Sequence, residues 1–161
     1  MKNKIYAIDL IVLVGSLVVI LGIVGYATPL IISPSDNSVT ANNSVLFSFE
    51  KGSAIMIDDN KDFSSPEIIN VENNLVINLK PGHYYWKVKG LLQSEIREFT
   101  IQSEVELKLK EAGNKFEVVN AGNVELNVDI YNNESLNGSI ILKVDENKNV
   151  SGTKFIGSQN E

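Results

Sequence analysis

The chain has 161 residues, room for one ordinary domain or two small ones, and a net charge of −6. With no cysteine and a single histidine, His83, it excludes a disulfide framework, a cysteine-based zinc or iron–sulfur centre and any site built on paired histidines. The acidic balance argues against a nucleic-acid partner, because phosphate binding draws on clustered Lys and Arg.

The apolar residues are unevenly spread. From Leu10 to Ile32 there are 23 consecutive uncharged residues, most of them Leu, Ile and Val. As a helix this run would cover roughly 34 Å, against a hydrocarbon core of about 30 Å. Its polar members, Ser16 and Thr28, can bond back to helix carbonyls. Tyr6 and Tyr26 would lie about 30 Å apart, one at each membrane interface. Pro29 and Pro34 discourage helix beyond the exit. Lys2 and Lys4 flank one end, whereas the 20 residues after Ile32 hold a single basic residue, Lys51. The positive-inside rule then predicts a cytoplasmic N-terminus and an outer C-terminal region. A cleaved signal peptide is the competing reading, since Gly25-Tyr26-Ala27 offers small residues at −3 and −1. The length of the apolar run, beyond the usual h-region of about 7–15 residues, favours a retained anchor. A buried soluble helix is disfavoured because no face is polar.

Asp9 opens the run. Its simplest role is a headgroup-level charge paired with Lys2 or Lys4. It also bears a partial resemblance to type IV pilins, which carry an acidic residue five positions after a Lys/Arg-Gly/Ala cleavage site. Asp9 is fifth after Lys4, but Lys4-Ile5 lacks the small residue.

From Ser33 onward the periodicity becomes two, the mark of half-buried strands. Val45, Phe47 and Phe49 alternate with Leu46, Ser48 and Glu50. Ala54 to Asp58 is a second strand; Glu67 to Val71 and Leu75 to Leu79 follow, separated by the turn formers Asn73-Asn74. After the Pro81-Gly82 turn, Tyr84, Trp86 and Val88 alternate with Tyr85, Lys87 and Lys89. The last strand turns Phe99 and Ile101 inward. Short strands divided by Asn, Asp, Gly and Pro predict an antiparallel sandwich.

Leu79-Lys80-Pro81-Gly82-His83-Tyr84-Tyr85-Trp86-Lys87-Val88-Lys89-Gly90 resembles the turn and strand of fibronectin type III-like domains, which read Leu-x-Pro-Gly, then Tyr-x-hydrophobic-x-Val-x-small. Ile57 to Phe63 and Ser33 to Asn37 resemble two further parts of that family. The resemblance implies an immunoglobulin-like sandwich, with Tyr84 as the corner tyrosine, Trp86 and Val88 on the core face and Pro81-Gly82 in the turn. It implies no particular function, because this scaffold hosts many.

In the second half, Val105, Leu107 and Leu109 are expected on one inward face of a strand from Glu104 to Lys110. A turn at Glu111–Asn114 and a strand from Lys115 to Asn120 follow. Asn120-Ala121-Gly122-Asn123 is expected as a tight connection using positive φ. Val118 to Val128 is similar to a turn in β-sandwich repeats of prokaryotic surface proteins. Val124, Leu126, Val128 and Ile130 form the next inward face. A polar loop from Asn132 to Gly138 precedes a final strand, Ser139 to Val144. Asp145 to Glu161 is expected to be loosely ordered, with at most one short edge strand.

Few residues offer chemistry. Asp58-Asp59-Asn60-Lys61-Asp62 has oxygen ligands at positions one, three and five of a calcium loop. Phe63 and Ile69 stand where such a loop needs Gly and Glu, so an Asx-rich turn is the better reading. His83 lacks a nucleophilic partner motif and reads as an exposed turn residue. Glu104, Glu106 and Glu125 read as solvated charge on outward strand faces. No phosphate-cradling glycine loop occurs, so no cofactor, metal or catalytic residue is expected. Four Asn-x-Ser sequons, at Asn42, Asn133, Asn137 and Asn149, are candidate N-glycosylation sites.

These features together predict a single-pass membrane glycoprotein of the cell surface. Residues 1–32 form the cytoplasmic start and helix, 33–102 a fibronectin type III-like sandwich, and 103–161 a second small β module with a loose tail. Its partners would be the lipid bilayer, other surface proteins or envelope polymers, in a non-catalytic adhesion, scaffolding or binding role. Tyr85, Lys87 and Lys89 are a candidate contact face, with an ordinary solvated strand face the better reading. The alternative is a pilin-like or filament-bracing subunit whose helix self-associates.

Overall fold

In the computed structural model, which describes residues 2–160, one long helix precedes a β-rich region. The side chains of residues 2–5 and 7 are not described, so the pairing of Asp9 with Lys2 or Lys4 lies outside the described residues.

Helix α1 runs Lys2–Ala27. Its segment Ile8–Ala27 is long and apolar enough to cross a membrane, and none of it is buried by the rest of the chain. Ser16 Oγ donates to Leu13 O at 2.9 Å and Thr28 Oγ1 to Val24 O at 2.8 Å, so both hydroxyls turn back onto the helix as expected. The uncharged run does not stay helical to Ile32. Pro29 has no N–H and crowds the preceding turn, which ends the helix at Ala27. Leu30 to Ile32 instead enter a strand.

Fourteen strands follow among the described residues: β1 Leu30–Ser33, β2 Ser38–Thr40, β3 Ser44–Glu50, β4 Ala54–Asp58, β5 Glu67–Asn70, β6 Leu75–Asn78, β7 Gly82–Lys89, β8 Arg97–Ile101, β9 Leu107–Ala112, β10 Lys115–Asn120, β11 Leu126–Asn132, β12 Ser135–Leu142, β13 Asn147–Val150 and β14 Lys154–Gln159. They form four small sheets, ordered β1-β3-β6, β2-β8-β7-β4-β5, β13-β10-β9 and β12-β11-β14. Strand pairs β1–β3, β4–β5, β4–β7, β9–β10, β10–β13, β11–β12 and β11–β14 are antiparallel, whereas β2 runs parallel to β8. Strands β5 and β6, flanking Asn73-Asn74, lie in different sheets, so this turn is a corner and not a hairpin.

Contacts group the chain into two compact units. The first comprises Met1–Asp36, Leu46–Leu75 and Tyr84–Glu98. Its core gathers Ile31, Phe47, Phe49, Ile55, Ile57, Trp86 and Val88, all nearly inaccessible. Phe47 of β3 meets Trp86 of β7 edge to face, with ring centroids 4.9 Å apart, so side chains of two sheets share this core. Gly52 is required by space: a methyl group there would run into Val88 and Phe49. Ser48, expected outward, is buried because its hydroxyl bonds Asn74 Oδ1 at 2.7 Å.

The second unit comprises Asn37–Val45, Val76–His83 and Phe99–Glu161. Phe99 and Ile101 are buried as the alternation predicted. Val118, Val124, Leu126, Val128 and Leu142 form a further core cluster, with Phe116 and Phe155 packed against it at 5.4 Å between ring centroids.

Four expectations fail in this stretch, through turns and long-range pairings that apolar alternation does not show. Residues 104–106 are not strand, because they lie along the 121–123 connection; Ala121 N donates to Glu106 O at 2.9 Å and Asn123 N to Glu104 O at 3.0 Å. Val105 is exposed; Leu109, although within β9, is exposed too, and of Val105, Leu107 and Leu109 only Leu107 packs inward. The connection from Asn120 to Asn123 uses no left-handed residue; positive φ occurs instead at Gly113 and at the pair Asn133 and Glu134. That pair makes a two-residue hairpin turn of the type that both residues' left-handed backbone defines, so the predicted loop from Asn132 is largely strand. The tail is ordered: β13 pairs with β10 and β14 with β11.

Phe47→Ala removes the edge partner of Trp86 and leaves a cavity, a loss of about 3–5 kcal/mol. Denaturant titration followed by the emission of Trp86, the chain's one tryptophan, reads this directly.

Candidate functional site

The four sequons stand on the surface. Asn42, Asn133, Asn137 and Asn149 are all exposed. Asn42 Oδ1 accepts from Ser44 N at 2.8 Å, an Asx turn that leads into β3. Asn133 occupies the β11–β12 turn, and Asn137 lies beside Gly138 at the bulge in that hairpin.

The Asp58 loop is a capped turn. Asp58 Oδ1 accepts from Asn60 N at 3.1 Å, Asp58 Oδ2 from Ser65 N at 2.9 Å, and Asn60 Oδ1 from Asp62 N at 3.0 Å. The bond from the Ser65 N–H holds the Asp58 carboxyl below its ordinary value, against the opposing effect of burial, with the Asn60 N–H adding to the lowering. Both Asp58 oxygens and the Asn60 amide oxygen thus accept from the backbone, as in an Asx-rich turn. Among the described residues no cluster of three or more His, Cys, Asp or Glu side chains gathers to hold a metal ion.

Trp86 and Val88 are buried at the centre of their unit, whereas Tyr84, Pro81 and Gly82 are half-buried. Desolvation raises the Tyr84 phenol above its ordinary value and the charge of Asp59 adds to the rise. Lys87 places its ammonium 4.2 Å from the centroid of Phe63, so this lysine covers an aromatic ring. Tyr85 is half-buried and Lys89 exposed. His83 is exposed on β7, with Nδ1 2.9 Å from Thr100 Oγ1. Glu104, Glu106 and Glu125 lie on no strand, contrary to expectation. Glu106 pairs with Lys108 at 3.3 Å, and Glu125 Oε1 accepts from Asn160 Nδ2.

The most elaborate polar construction is a joint of asparagines in the second unit. Asn120 is fully buried. Its Nδ2 reaches the carbonyls of Val124, Leu142 and Lys143 at 2.8–3.1 Å, and its Oδ1 accepts from Gly122 N at 3.1 Å. Asn123 Nδ2 donates to Ala41 O and Gln102 O, both at 2.7 Å, and its Oδ1 accepts from Glu104 N at 2.6 Å. Asn43 Nδ2 donates to Asn123 O at 2.9 Å. Gly122 fits because a methyl group there would strike the carbonyl of Glu104.

Two adjoining clefts, of about 530 and 590 Å³, open over this joint. Asn43, Lys80, Asn123 and Val144 line both. Glu104, Asn78 and Asp145 complete the first; Lys143 and Glu125 border the second. Asn43 Oδ1 is buried and accepts no hydrogen bond among the described residues. The lining offers hydrogen bonds and single charges of both signs, a surface suited to holding a polar group. The sequence pointed to Asn120-Ala121-Gly122-Asn123 only as a turn; the long-range targets of its side chains carry no local signal.

A scan of the chain against models of known protein families finds no match, and a search among curated proteins finds no relative.

Asn123→Ala removes three side-chain hydrogen bonds to partly buried backbone groups, an expected loss of about 1–3 kcal/mol in denaturant titration. The Asp58 carboxyl binds protons less readily in the folded than in the unfolded chain. Its contribution is therefore full above the ordinary value of 3.8 and is lost as pH falls through the lower folded value. Asp58→Asn should flatten that acid limb of a Tm-versus-pH profile and lower Tm at neutral pH, since its Nδ2 opposes an N–H.

Proposed function

We propose that this chain is a membrane-anchored surface protein whose β region binds, adheres or scaffolds outside the cytoplasm without catalysing a reaction. The observation that carries the reading is the helix. Apart from Asp9 at its start, Ile8–Ala27 is apolar on every side and none of it is buried by the rest of the chain, and a β-rich region follows at once. Such a helix has no stable exposed state in water and finds its solvent in lipid.

The β region is read as fibronectin type III-like over 33–102 and as a second small module over 103–161. No sheet mixes strands β1–β8 with strands β9–β14, which supports a boundary between Ile101 and Leu107. The chain deals β1 and β3 to one sheet, β4 and β5 to another, returns β6 to the first and gives β7 and β8 to the second. That alternation, with Phe47 against Trp86, favours an immunoglobulin-like sandwich. The exposure of Asn42, Asn133, Asn137 and Asn149 supports their reading as glycan acceptors. The orientation, with the N-terminus cytoplasmic, rests on Lys2 and Lys4 and the scarcity of basic residues just beyond the helix.

The test is protease protection of sealed cells or vesicles with mass spectrometry of the protected fragment. External protease is expected to remove residues beyond about Ser33 and leave a helix-length fragment that begins at Met1. Loss of only the first few residues would reverse the orientation. A mature N-terminus near Ile5 would favour the pilin-like alternative, and one near Thr28 the cleaved signal peptide.

A further inference from the structure

The β7–β8 connection carries two leucines into solvent at a particular place. Leu91 is 85% exposed, more than any other large apolar side chain among the described residues, and Leu92 beside it is 42% exposed. This loop is tied to the end of the helix. Leu92 N reaches Ala27 O, the last helical carbonyl, at 3.4 Å. Gly90 closes the loop by donating to Leu92 O at 2.9 Å, and it is held so tightly that a methyl group there would meet the Lys51 carbonyl and lie 3.1 Å from Pro29 Cγ. Leu30 and Ile32, just past the helix, are also exposed. Lys51 sets its ammonium 5.2 Å from the ring centroid of Tyr26.

We propose that Leu91 and Leu92, with Leu30 beside them, form a second contact with lipid: a loop that inserts into the interfacial layer of the leaflet from which the helix emerges. The inference rests on the reading that α1 spans the membrane. The span from Ile8 to Ala27 measures about 30 Å at the usual rise, so Ala27 sits at one edge of the hydrocarbon when the helix crosses. A loop hydrogen-bonded to Ala27 is then at the same depth, where apolar side chains leave water and Tyr26 and Lys51 meet headgroups. The exposed leucines lie on a loop tied to the last carbonyl of the helix, and the lipid that solvates the helix is the occupant that fits them. The loop would fix the tilt of the first β unit against the bilayer, which a single helix and a free tether would leave open.

The chain has no native cysteine, so single cysteines can be placed at will. The full-length protein carrying Leu91→Cys, Leu92→Cys, Val18→Cys or Asn137→Cys is labelled with an environment-sensitive fluorophore in phosphatidylcholine–phosphatidylglycerol vesicles. Labels at Leu91 and Leu92 are expected to emit to the blue of the Asn137 label, to be several-fold less quenched by aqueous iodide, and to be quenched by lipids spin-labelled near the headgroup. Lipid quenching at Val18 with iodide quenching at Leu91 and Leu92 equal to that at Asn137 overturns the loop contact and leaves the anchor standing. Iodide access at Val18 overturns the anchor and the loop contact with it.

Discussion

A helix whose residues from Leu10 onward are uncharged, with aliphatic side chains on every face, is the constraint to which the other features of this chain answer. Each large aliphatic side chain moved out of water gains about 1.5–3 kcal/mol, and the residues from Leu10 to Val24 supply that gain almost continuously. The sum is larger than the roughly 5–15 kcal/mol that holds a domain folded. No arrangement of the small β cores can offset leaving such a rod in water, and none of the described residues covers it. Lipid is the medium that removes the conflict, and the β region is built at the point where the rod stops.

That stopping point is made by backbone chemistry, not by a change in hydropathy. Leu30, Ile31 and Ile32 are as apolar as the helix before them, yet they lie in β1, where Leu30 and Ile31 pair with Glu50 and Phe49 of β3. Pro29 causes the switch by breaking the helical hydrogen-bond series. With the helix ended, the alternation of β1 decides which side chain goes inward: Ile31 enters the core, and Leu30 and Ile32 face out. Helix and sheet are therefore joined through two residues, Thr28 and Pro29. The hydrogen bond of Thr28 N to Val24 O at 3.0 Å extends the helical pattern one residue further.

The same logic separates what could be read from the sequence and what could not. Strands that bury one face announce themselves, because period-two alternation and burial have a common cause; Val45, Phe47, Phe49, Trp86, Val88, Phe99 and Ile101 all went where alternation sent them. Strands that contribute mainly hydrogen bonds do not. β13 exposes Asn147, Lys148 and Asn149, and its place is earned by pairing with β10 across four residue pairs. Composition sees a polar tail there. The reverse error occurred at Val105 and Leu109, whose alternation is regular although neither is buried. Around Val105 the backbone of Glu104 and Glu106 was claimed by Asn123 and by the 121–123 connection, an interaction between residues some twenty positions apart, whereas Leu109 lies on the exposed side of β9 although its backbone pairs with β10.

Asparagine explains why the candidate site was less legible than the fold. The same amide serves as an Asx-turn former at Asn42 and Asn60, as a hairpin residue at Asn133 and as a long-range clasp at Asn120 and Asn123. Local sequence separates none of these roles, because each depends on where another part of the chain presents a carbonyl or an N–H. The clasp has a physical consequence of its own. Amide hydrogen bonds do not titrate and are little screened by salt, whereas the ion pairs here, such as Arg97–Glu95 and Lys148–Glu146, lie at least partly in solvent and contribute little. The joint between residues 41–43, 102–104 and 120–123 is thus held by groups indifferent to pH and ionic strength. Acid acts through carboxylates that bond the backbone: Asp58, held low by the Ser65 N–H, and, adjoining the joint through the bond of Asn120 N to its carbonyl, Glu146, held low by the Lys143 N–H and the Lys148 side chain.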